Sequence, residues 1–127
     1  MENTWTVYAI QHNVTGKIYV GITRNVCKDR IKAHLSGLRS NRHTNVEMQA
    51  DFNEFGEDYS YYVLEKFDYP DYPYGDERRA YPMKREKEWM LKIGTNDPKI
   101  GYNANDRKFV ASINDIDLIE GVPKRNE

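Results

Sequence analysis

Two short apolar-aromatic runs near the start of the chain, Thr6-Val7-Tyr8-Ala9-Ile10 and Ile18-Tyr19-Val20-Gly21, decide the fold. Both are rich in the β-branched and aromatic residues that favour strands. The segment between them contains Asn13-Val14-Thr15-Gly16, which has the composition of a turn and a glycine that can adopt positive φ. The pattern therefore predicts a β-hairpin.

In the second strand of the hairpin, the aliphatic side chains and the tyrosine lie on opposite faces. Because successive side chains point to opposite faces of a strand, Ile18 and Val20 share one face and Tyr19 lies on the other. Tyr8 is then directly or diagonally across from Tyr19, depending on whether Gly16 forms a bulge. One face of the hairpin is thus predicted to carry two tyrosines.

A helix is predicted directly after the hairpin. Asn25 can serve as its N-cap, and the helix ends near Leu38. Its apolar residues recur at helical spacing: Cys27, Ile31, Leu35 and Leu38. Arg30 and His34 are four residues apart, so they project together beside that apolar stripe.

A second helix and a third strand follow. Thr44 and Glu47 have the spacing of a capping box, and the helix that they begin ends at Gly56. Its inward-facing residues are expected to be Met48, Phe52 and Phe55. The third strand is predicted from Tyr59 to Phe67, with one face formed by Tyr59, Tyr61, Val63 and Phe67.

The second half of the chain contains one main helix, predicted from Pro82 to Ile93, with Asp76 onward as a helical lead-in. Near the end, four apolar residues are able to dock as one extra helix or strand: Ile113, Ile116, Leu118 and Ile119. Residues 121–127 are expected to fray. We therefore expect a domain over residues 1–105 and an extension over residues 106–127.

Composition places the chain among water-soluble globular proteins. Its 127 residues suggest one domain, and no apolar run approaches the roughly 18 residues of a membrane span. Met1-Glu2-Asn3-Thr4 lacks the basic and apolar regions of a signal peptide, and the single cysteine, Cys27, excludes an internal disulfide. A cytoplasmic location without a membrane partner is expected.

Charge is unevenly distributed, although the net charge is only −1. Residues 22–45 hold one acid, Asp29, and six basic residues, a local balance of six minus one, or +5. The basic residues are Arg24, Lys28, Arg30, Lys32, Arg39 and Arg42. Phosphate contacts depend on the field within a Debye length of about 10 Å, so this segment suits nucleic acid. From composition alone, a solvated helix face is the simpler interpretation.

A carboxylate interrupts the apolar stripe of the predicted third helix. Met83, Met90 and Ile93 recur at helical spacing, and Glu86 falls between them. A carboxylate on a core-facing stripe requires a partner, because an unpaired buried charge costs much free energy. Two partners are open: a salt bridge, with Arg30 as the candidate, or a divalent cation.

These motifs, in this order, resemble the GIY-YIG nuclease family over residues 5–105. The family's Gly-Ile-Tyr corresponds to Thr6-Val7-Tyr8 and its Tyr-Ile-Gly to Tyr19-Val20-Gly21. Its Arg, and the His one turn later, match Arg30 and His34. Further matches follow the homing branch: His43, Met48-Gln49, Phe52-Asn53, Gly56, Glu86 with Trp89, and Gly101-Tyr102-Asn103.

Two departures from the family pattern are visible. Thr6 replaces the first glycine, which removes no catalytic side chain. The segment from Asp68 to Tyr81, with its Tyr-Pro pairs, is longer than the family's usual connection.

The resemblance implies an α/β (α+β) fold with a small, mainly antiparallel three-stranded sheet flanked by about three helices. It also implies a metal-dependent DNA endonuclease that hydrolyses phosphodiester bonds at a single-metal site, with Mg²⁺ or Mn²⁺ as the cofactor. The site residues carried over are Tyr8, Tyr19, Arg30, His34, Glu86 and Asn103. Glu86 would hold the metal, and Asn103 would position Glu86 or the metal.

The remaining site residues have expected roles in hydrolysis. Arg30 would stabilise charge on the nonbridging phosphate oxygens. Tyr8 is our choice of general base and Tyr19 would orient water or phosphate, with the reverse assignment open. His34 would assist Tyr8 or bind phosphate.

Nucleic-acid contacts are expected from side chains around the site: Lys17, Arg24, Lys28, Lys32, Arg39, Arg42 and His43. His12, in the hairpin turn, is expected to be exposed to solvent. The alternative to an enzyme is a non-catalytic nucleic-acid-binding module of the same fold that acts with a partner. A homodimer is one way in which an endonuclease of this size could cut both strands.

Overall fold

The computed structural model describes residues 4–24, 26–68, 77–103 and 118–124. These residues form a four-stranded sheet with helices on both faces. The elements are β1 (Thr4–His12), β2 (Ile18–Thr23), α1 (Cys27–Arg39), α2 (Val46–Phe55), β3 (Tyr59–Asp68), α3 (Glu77–Ile93) and β4 (Ile119–Glu120). The strand order is β2-β1-β3-β4, antiparallel except for the short β3–β4 pair. The predicted α+β class is confirmed, with one strand more than the three expected.

The predicted hairpin is formed by β1 and β2, and its register is continuous. Tyr8 pairs with Gly21 and Tyr19 pairs with Ile10, so the two tyrosines are diagonal neighbours, with ring centroids 6.3 Å apart. Gly16 has a φ of 77° in the turn, where its amide donates to the carbonyl of His12. The turn therefore does not place the tyrosines directly opposite each other.

The side chains of the hairpin feed two cores, one on each face of the sheet. The core on the α1 and α2 side contains the tyrosines and the predicted stripe of α1: Tyr8, Ile10, Tyr19, Cys27, Ile31, Leu35, Leu38 and Met48. The core on the α3 side contains Val7, Ala9, Ile18, Val20 and Ile93, with Trp89 and Met90 packed against it. The prediction for β2, with Tyr19 on the face opposite Ile18 and Val20, is confirmed, while Ile10 of β1 packs with the tyrosines.

A β-bulge in β3 changes the face on which its last residues lie. Val7 pairs with Glu65 whereas Tyr8 pairs with Val63, so Leu64 is an extra residue in the ladder. Phe67 consequently packs in the α3 core. The alternating pattern had predicted it on the other face, beside Tyr59 and Tyr61, so that prediction is wrong. The same bulge turns Glu65 towards α3.

Helix α2 begins one residue later than the capping-box prediction. Asn45 is its N-cap, and the Asn45 Oδ1 accepts from the Met48 amide at 3.1 Å. The prediction that Thr44 caps the helix is therefore wrong. Phe55 was expected in the core, but its side chain is 42% exposed at the end of the helix.

Helix α3 is longer than predicted and contains Pro82 in its interior. It starts at Glu77, so Pro82 is not in the first turn. Met83 is 42% exposed, and the inward face is formed by Trp89, Met90 and Ile93 instead. None of the helices in the described ranges is both long and apolar enough to cross a membrane.

The last described residues are docked and not frayed. Ile119 pairs with Tyr62 in β4, the Gly121 amide donates to the Val63 carbonyl, and Gln11 Nε2 donates to the Lys124 carbonyl. The expectation of fraying is wrong for residues 121–124. The N-cap of α1 is Val26, so the prediction that Asn25 caps this helix is wrong. The predictions for Ile113 and Ile116 lie outside the described residues.

A short segment, residues 100–103, pairs with the outer edge of β2 through an isolated bridge between Gly101 and Ile18. The Ile18 amide donates to the Ile100 carbonyl, and the Tyr102 amide donates to the Ile18 carbonyl, both at 3.0 Å. Gly101 lies so close to its neighbours that a Cβ there would be 2.5 Å from Thr95 Cα and 2.6 Å from the Ile18 carbonyl oxygen. Because both contacts are with main-chain atoms, they cannot be relieved by a side-chain rotation.

We expect Gly101→Ala to lower the free energy of unfolding by about 1–3 kcal/mol, the usual cost of overpacking. The control is Lys99→Ala, an exposed residue of the same loop, which should change stability by less than about 0.5 kcal/mol. Urea unfolding of both variants measures the difference. Equal stability of the two variants would contradict the close packing at Gly101.

Candidate active site

Two tyrosines and a histidine meet in the core between the sheet and α1. The Tyr8 hydroxyl lies 2.7 Å from His34 Nε2, and the Tyr19 ring contacts His34 edge-on, with centroids 4.9 Å apart. Tyr8 and His34 are both 0% exposed and Tyr19 is 1% exposed. The structure therefore brings together three of the predicted site residues.

Gly21 provides the space that the Tyr8 phenol occupies. It is paired with Tyr8 across the hairpin, and a Cβ at Gly21 would lie 2.4 Å from both the Tyr8 hydroxyl and its Cζ. The same Cβ would lie 3.0 Å from the Tyr19 ring. The glycine of the Tyr19-Val20-Gly21 motif is thus required by the packing of Tyr8, a role that the sequence alone did not reveal.

A row of hydrogen bonds continues from His34 into the α1–α2 loop. His34 Nδ1 lies 2.9 Å from His43 Nε2, and the two rings are stacked. His43 Nδ1 accepts from the Asn45 amide at 2.9 Å. Both ring nitrogens of His43 therefore have protein partners.

The burial of the two histidines and a nearby guanidinium keep them neutral. Burial, then the charge of Arg30, then His43, hold the pKa of His34 well below its usual value of 6.5. Burial and Arg30 lower the pKa of His43 to about 4. Arg30, half-buried on α1, therefore lies close enough to act electrostatically on both rings.

Asn45, which the sequence analysis did not single out as a site residue, connects this row to the rest of the fold. Its Oδ1 caps α2, its main-chain N–H donates to His43 Nδ1, and its side-chain Nδ2 donates to the Tyr102 carbonyl at 2.6 Å. The signal that could have found it is an asparagine immediately before the first residue of a helix.

Asn103 binds the main chain of β2. Its Oδ1 accepts from the Val20 amide and its Nδ2 donates to the Val20 carbonyl, both at 2.8 Å. Val20 lies between Tyr19 and Gly21, so the amide of Asn103 holds the strand that carries these two residues. Asn103 was expected to position Glu86 or a metal, and the contact that the structure gives it is with β2.

Glu86 belongs to α3, the helix that packs on the face of the sheet opposite α1. It is half-buried on α3, one turn before Trp89 and Met90, and α3 packs chiefly against β2. The residue before Glu86 is Arg85, which forms ion pairs with Glu65 at 2.7 Å and with Glu88 at 2.5 Å.

The expected nucleic-acid contacts divide into accessible and inaccessible side chains. Lys28 and Arg42 are exposed, and Lys17 and Arg24 are half-buried. Lys32 is only 7% exposed, with its Nζ 3.9 Å from Asp29, so it is poorly placed to bind phosphate.

Two further residues of the expected contact set are engaged by the protein itself. Arg39 makes two hydrogen bonds of 2.6 Å to Glu57. His43 is 6% exposed and lies in the buried row, where both of its ring nitrogens have protein partners. His12, predicted at the surface, is 0% exposed, with its Nε2 3.1 Å from the Gly56 carbonyl. Polar neighbours in the sequence suggested exposure, but tertiary contacts cover both histidines.

The arrangement of tyrosines, histidines and Arg30 coincides with a family match along most of the chain. The GIY-YIG catalytic domain family matches residues 4–100. The chain belongs to the GIY-YIG family. Its buried Tyr8 comes from the first motif of that family name, and Tyr19 and Gly21 come from the second.

Similar proteins include one curated relative and two solved structures. The chain is 26% identical over 119 residues to "Intron-associated endonuclease 1" of Enterobacteria phage T4, covering 94% of this chain and 44% of the relative. The chain therefore spans less than half the length of that protein.

The two solved structures are of the catalytic domain of intron endonuclease I-TevI. The first, a point mutant, has a TM-score of 0.66 and 24% identity, covering 84% of this chain and 99% of the other. The second, described as the catalytic domain of the homing endonuclease, has a TM-score of 0.53 and 26% identity, covering 80% and 99%. The GIY-YIG fold of this chain is thus that of a known catalytic domain.

Stability should increase with pH between about 4 and 6.5, because the unfolded histidines bind protons that the folded ones exclude. The slope is up to about 1.4 kcal/mol per pH unit for each histidine. Urea unfolding between pH 5 and 6.5 measures it, since most carboxylates are ionised there. His43→Gln, with one buried histidine fewer, should reduce the slope by roughly half. A flat profile for the unmodified protein would contradict the neutral state of these rings.

Gly21→Ala should destabilise the protein by about 1–3 kcal/mol through contact with the Tyr8 phenol. In a Tyr8→Leu background the phenol is absent, and Gly21→Ala should lower the free energy of unfolding by less. A double-mutant cycle by urea unfolding measures this coupling. Additive free energies would show that the two side chains do not compete for the same space.

Proposed function

We propose that this chain is a metal-dependent DNA endonuclease that hydrolyses phosphodiester bonds at a single-metal site. The observation that carries the proposal is the buried contact of Tyr8 and Tyr19 with His34, beside Arg30, in a domain of the GIY-YIG family. These residues supply a base and a positive charge, which hydrolysis of a phosphodiester needs.

Tyr8 is the proposed general base. As phenolate it accepts a proton from water, the water oxygen bonds to phosphorus, and the bond from phosphorus to the leaving sugar oxygen breaks. That oxygen then takes a proton from solvent. The Tyr8 oxygen has a hydrogen-bond partner in His34, and a neighbouring cation such as Arg30 would favour the phenolate. Because Tyr8 and Tyr19 are closed to solvent, the reaction requires a movement that admits water and phosphate.

Arg30 is the proposed stabiliser of the transition state. Its guanidinium presents several donors in a fixed plane, which suits two nonbridging phosphate oxygens at once. Its half-buried position places the charge where the dielectric screening is weaker than at the surface. Tyr19, which contacts the same histidine as Tyr8, would orient the water or the phosphate.

Glu86 is the proposed protein ligand of the cation. Among the residues that the structure describes, no three His, Cys, Asp or Glu side chains are grouped as a metal cage. A half-buried single carboxylate fits Mg²⁺ or Mn²⁺, because Mg²⁺ usually keeps several waters and is held by one or two carboxylates together with substrate phosphate. When bound, the ion would supply Lewis-acid charge at the phosphate.

DNA is the proposed substrate. The relative from phage T4 is named as an endonuclease, and the solved domains belong to an intron endonuclease. The exposed Lys28 and Arg42, with Arg24 and Lys17, give the chain positive charge for phosphate contacts. A second copy of the chain would allow both strands to be cut.

Nicking of supercoiled plasmid tests the proposal, under single-turnover conditions with Mg²⁺, with Mn²⁺ or with a chelator. We expect metal-dependent nicking, reduced by about a hundredfold or more in Arg30→Ala and in Glu86→Gln, which lose transition-state charge and the metal ligand. The matched control is Glu88→Gln on the same helix, 48% exposed in its side chain, which should cleave like the unmodified protein.

DNA binding by the same variants separates the two candidate functions. Glu86→Gln should bind plasmid as tightly as the unmodified protein while failing to nick it. Nicking that persists in both Glu86→Gln and Arg30→Ala would contradict the assignment of the site. Salt-dependent binding without nicking under any metal condition would favour a non-catalytic module instead.

A further inference from the structure

The hydrogen bonds between Asn45 and Tyr8 form one continuous row. From the loop to the sheet, the distances are 2.9 Å from the Asn45 amide to His43 Nδ1, 2.9 Å from His43 Nε2 to His34 Nδ1, and 2.7 Å from His34 Nε2 to the Tyr8 hydroxyl. Its first member is a main-chain amide. A main-chain N–H can only donate, so the direction of the first bond is fixed.

That fixed direction determines the proton positions in both rings. His43 Nδ1 accepts, so it carries no proton, and the ring proton of His43 is on Nε2. His43 Nε2 then donates to His34 Nδ1, which must be unprotonated in turn. The proton of His34 is therefore on Nε2, directed at the Tyr8 oxygen.

We propose that His43 is a positioning residue. Its hydrogen bond from the Asn45 main-chain N–H fixes the tautomer of His43, and His43 in turn fixes the tautomer of His34, so that His34 presents an N–H to the Tyr8 hydroxyl. Tyr8 accepts this hydrogen bond, so the proton that Tyr8 loses as a base does not pass to His34. The phenolate formed by that loss keeps the same bond. His34 accordingly stabilises the base and does not take its proton. The catalytic part of this inference rests on the proposed role of Tyr8.

The opposite direction is incompatible with the contacts around His43. If Tyr8 donated to His34, the proton of His34 would be on Nδ1, and His43 Nε2 would have to accept it. His43 would then carry its proton on Nδ1, facing the Asn45 N–H, and two donors would meet at 2.9 Å. An imidazolium at His43 produces the same conflict, and burial disfavours it as well.

The loop that holds His43 is fixed on both sides by a glutamine. Gln49 Oε1 accepts from the His43 amide at 3.0 Å, and Gln49 Nε2 donates to the Leu38 carbonyl at the end of α1. His34 and His43 lie on α1 and on the loop after it, so these bonds hold the two rings at a constant separation. The row is thus held by contacts within the protein itself.

The tautomers can be measured directly in the full chain, without DNA or metal. Two-dimensional ¹H–¹⁵N correlation spectra of ¹⁵N-histidine protein at pH 7 distinguish the protonated from the unprotonated ring nitrogen. We expect Nε2–H, with unprotonated Nδ1, for both His34 and His43. An Nδ1–H tautomer or an imidazolium at either residue would overturn the proposal.

Two substitutions at His43 test its effect on the reaction. His43→Gln keeps an amide N–H near the position of Nε2, whereas His43→Leu has no donor for His34. We expect kcat for plasmid nicking to fall roughly tenfold to a hundredfold in His43→Leu, the value of a hydrogen bond to a charged group. KM should be unchanged, and His43→Gln should recover most of the loss.

A merely structural role would give a different result. Equal kcat for His43→Gln and His43→Leu, or an unchanged kcat in His43→Leu, would overturn the positioning role. Folding of each variant is followed by urea unfolding, so that kcat is compared only between folded proteins. If no variant and no unmodified protein nicks DNA, the proposed function fails, while the tautomer spectra still decide the direction of the row.

Discussion

The hydrogen bond between the Tyr8 hydroxyl and His34 is the contact on which the rest of the site depends. It joins β1, an inner strand of the sheet, to α1 inside a buried core, where neither group could be left unpaired without a free-energy cost. The contact needs Gly21 on the neighbouring strand, because any larger residue would occupy the place of the phenol. One backbone position on β2 therefore decides whether Tyr8 can lie beside His34.

The site is held together by polar groups that link segments distant in the sequence. Asn45 joins the start of α2, His43 and the carbonyl of Tyr102 through three separate atoms. Asn103, next to Tyr102, binds both main-chain groups of Val20. These two asparagines connect the α1–α2 loop to the strand that carries Tyr19. Buried polar groups that are fully satisfied in this way favour one arrangement of the core.

Periodicity in the sequence predicted the parts of the fold that depend on local pattern. The alternation in β2 assigned Tyr19 to the face opposite Ile18 and Val20, and the spacing in α1 identified its buried stripe. Phe67 was assigned to the wrong face, because a bulge arises from the pairing of β3 with β1 and leaves no mark in β3 alone.

The site residues were harder to place than the elements that carry them. The two periodicities assigned Tyr19 and His34 to their faces but did not predict their burial, and His43 was expected to contact phosphate because it lies in a loop beside Arg39 and Arg42. Its burial depends on Gln49 and Asn45, which belong to the next helix. Contacts between a loop and a later helix are tertiary, and no local pattern encodes them. Asn103 likewise gains its partner only when residues 100–103 reach β2.

The pairing of Asn103 with Val20 also has a consequence for the behaviour of the protein in solution. β2 lies at the outer side of the sheet, where unpaired main-chain groups can recruit a strand from another molecule. Residues 100–103 and the Asn103 amide occupy these groups at Ile18 and Val20. A substitution at Asn103 would expose the N–H and C=O of Val20 and favour aggregation through edge pairing. Loss of activity in such a variant would then report self-association as much as chemistry.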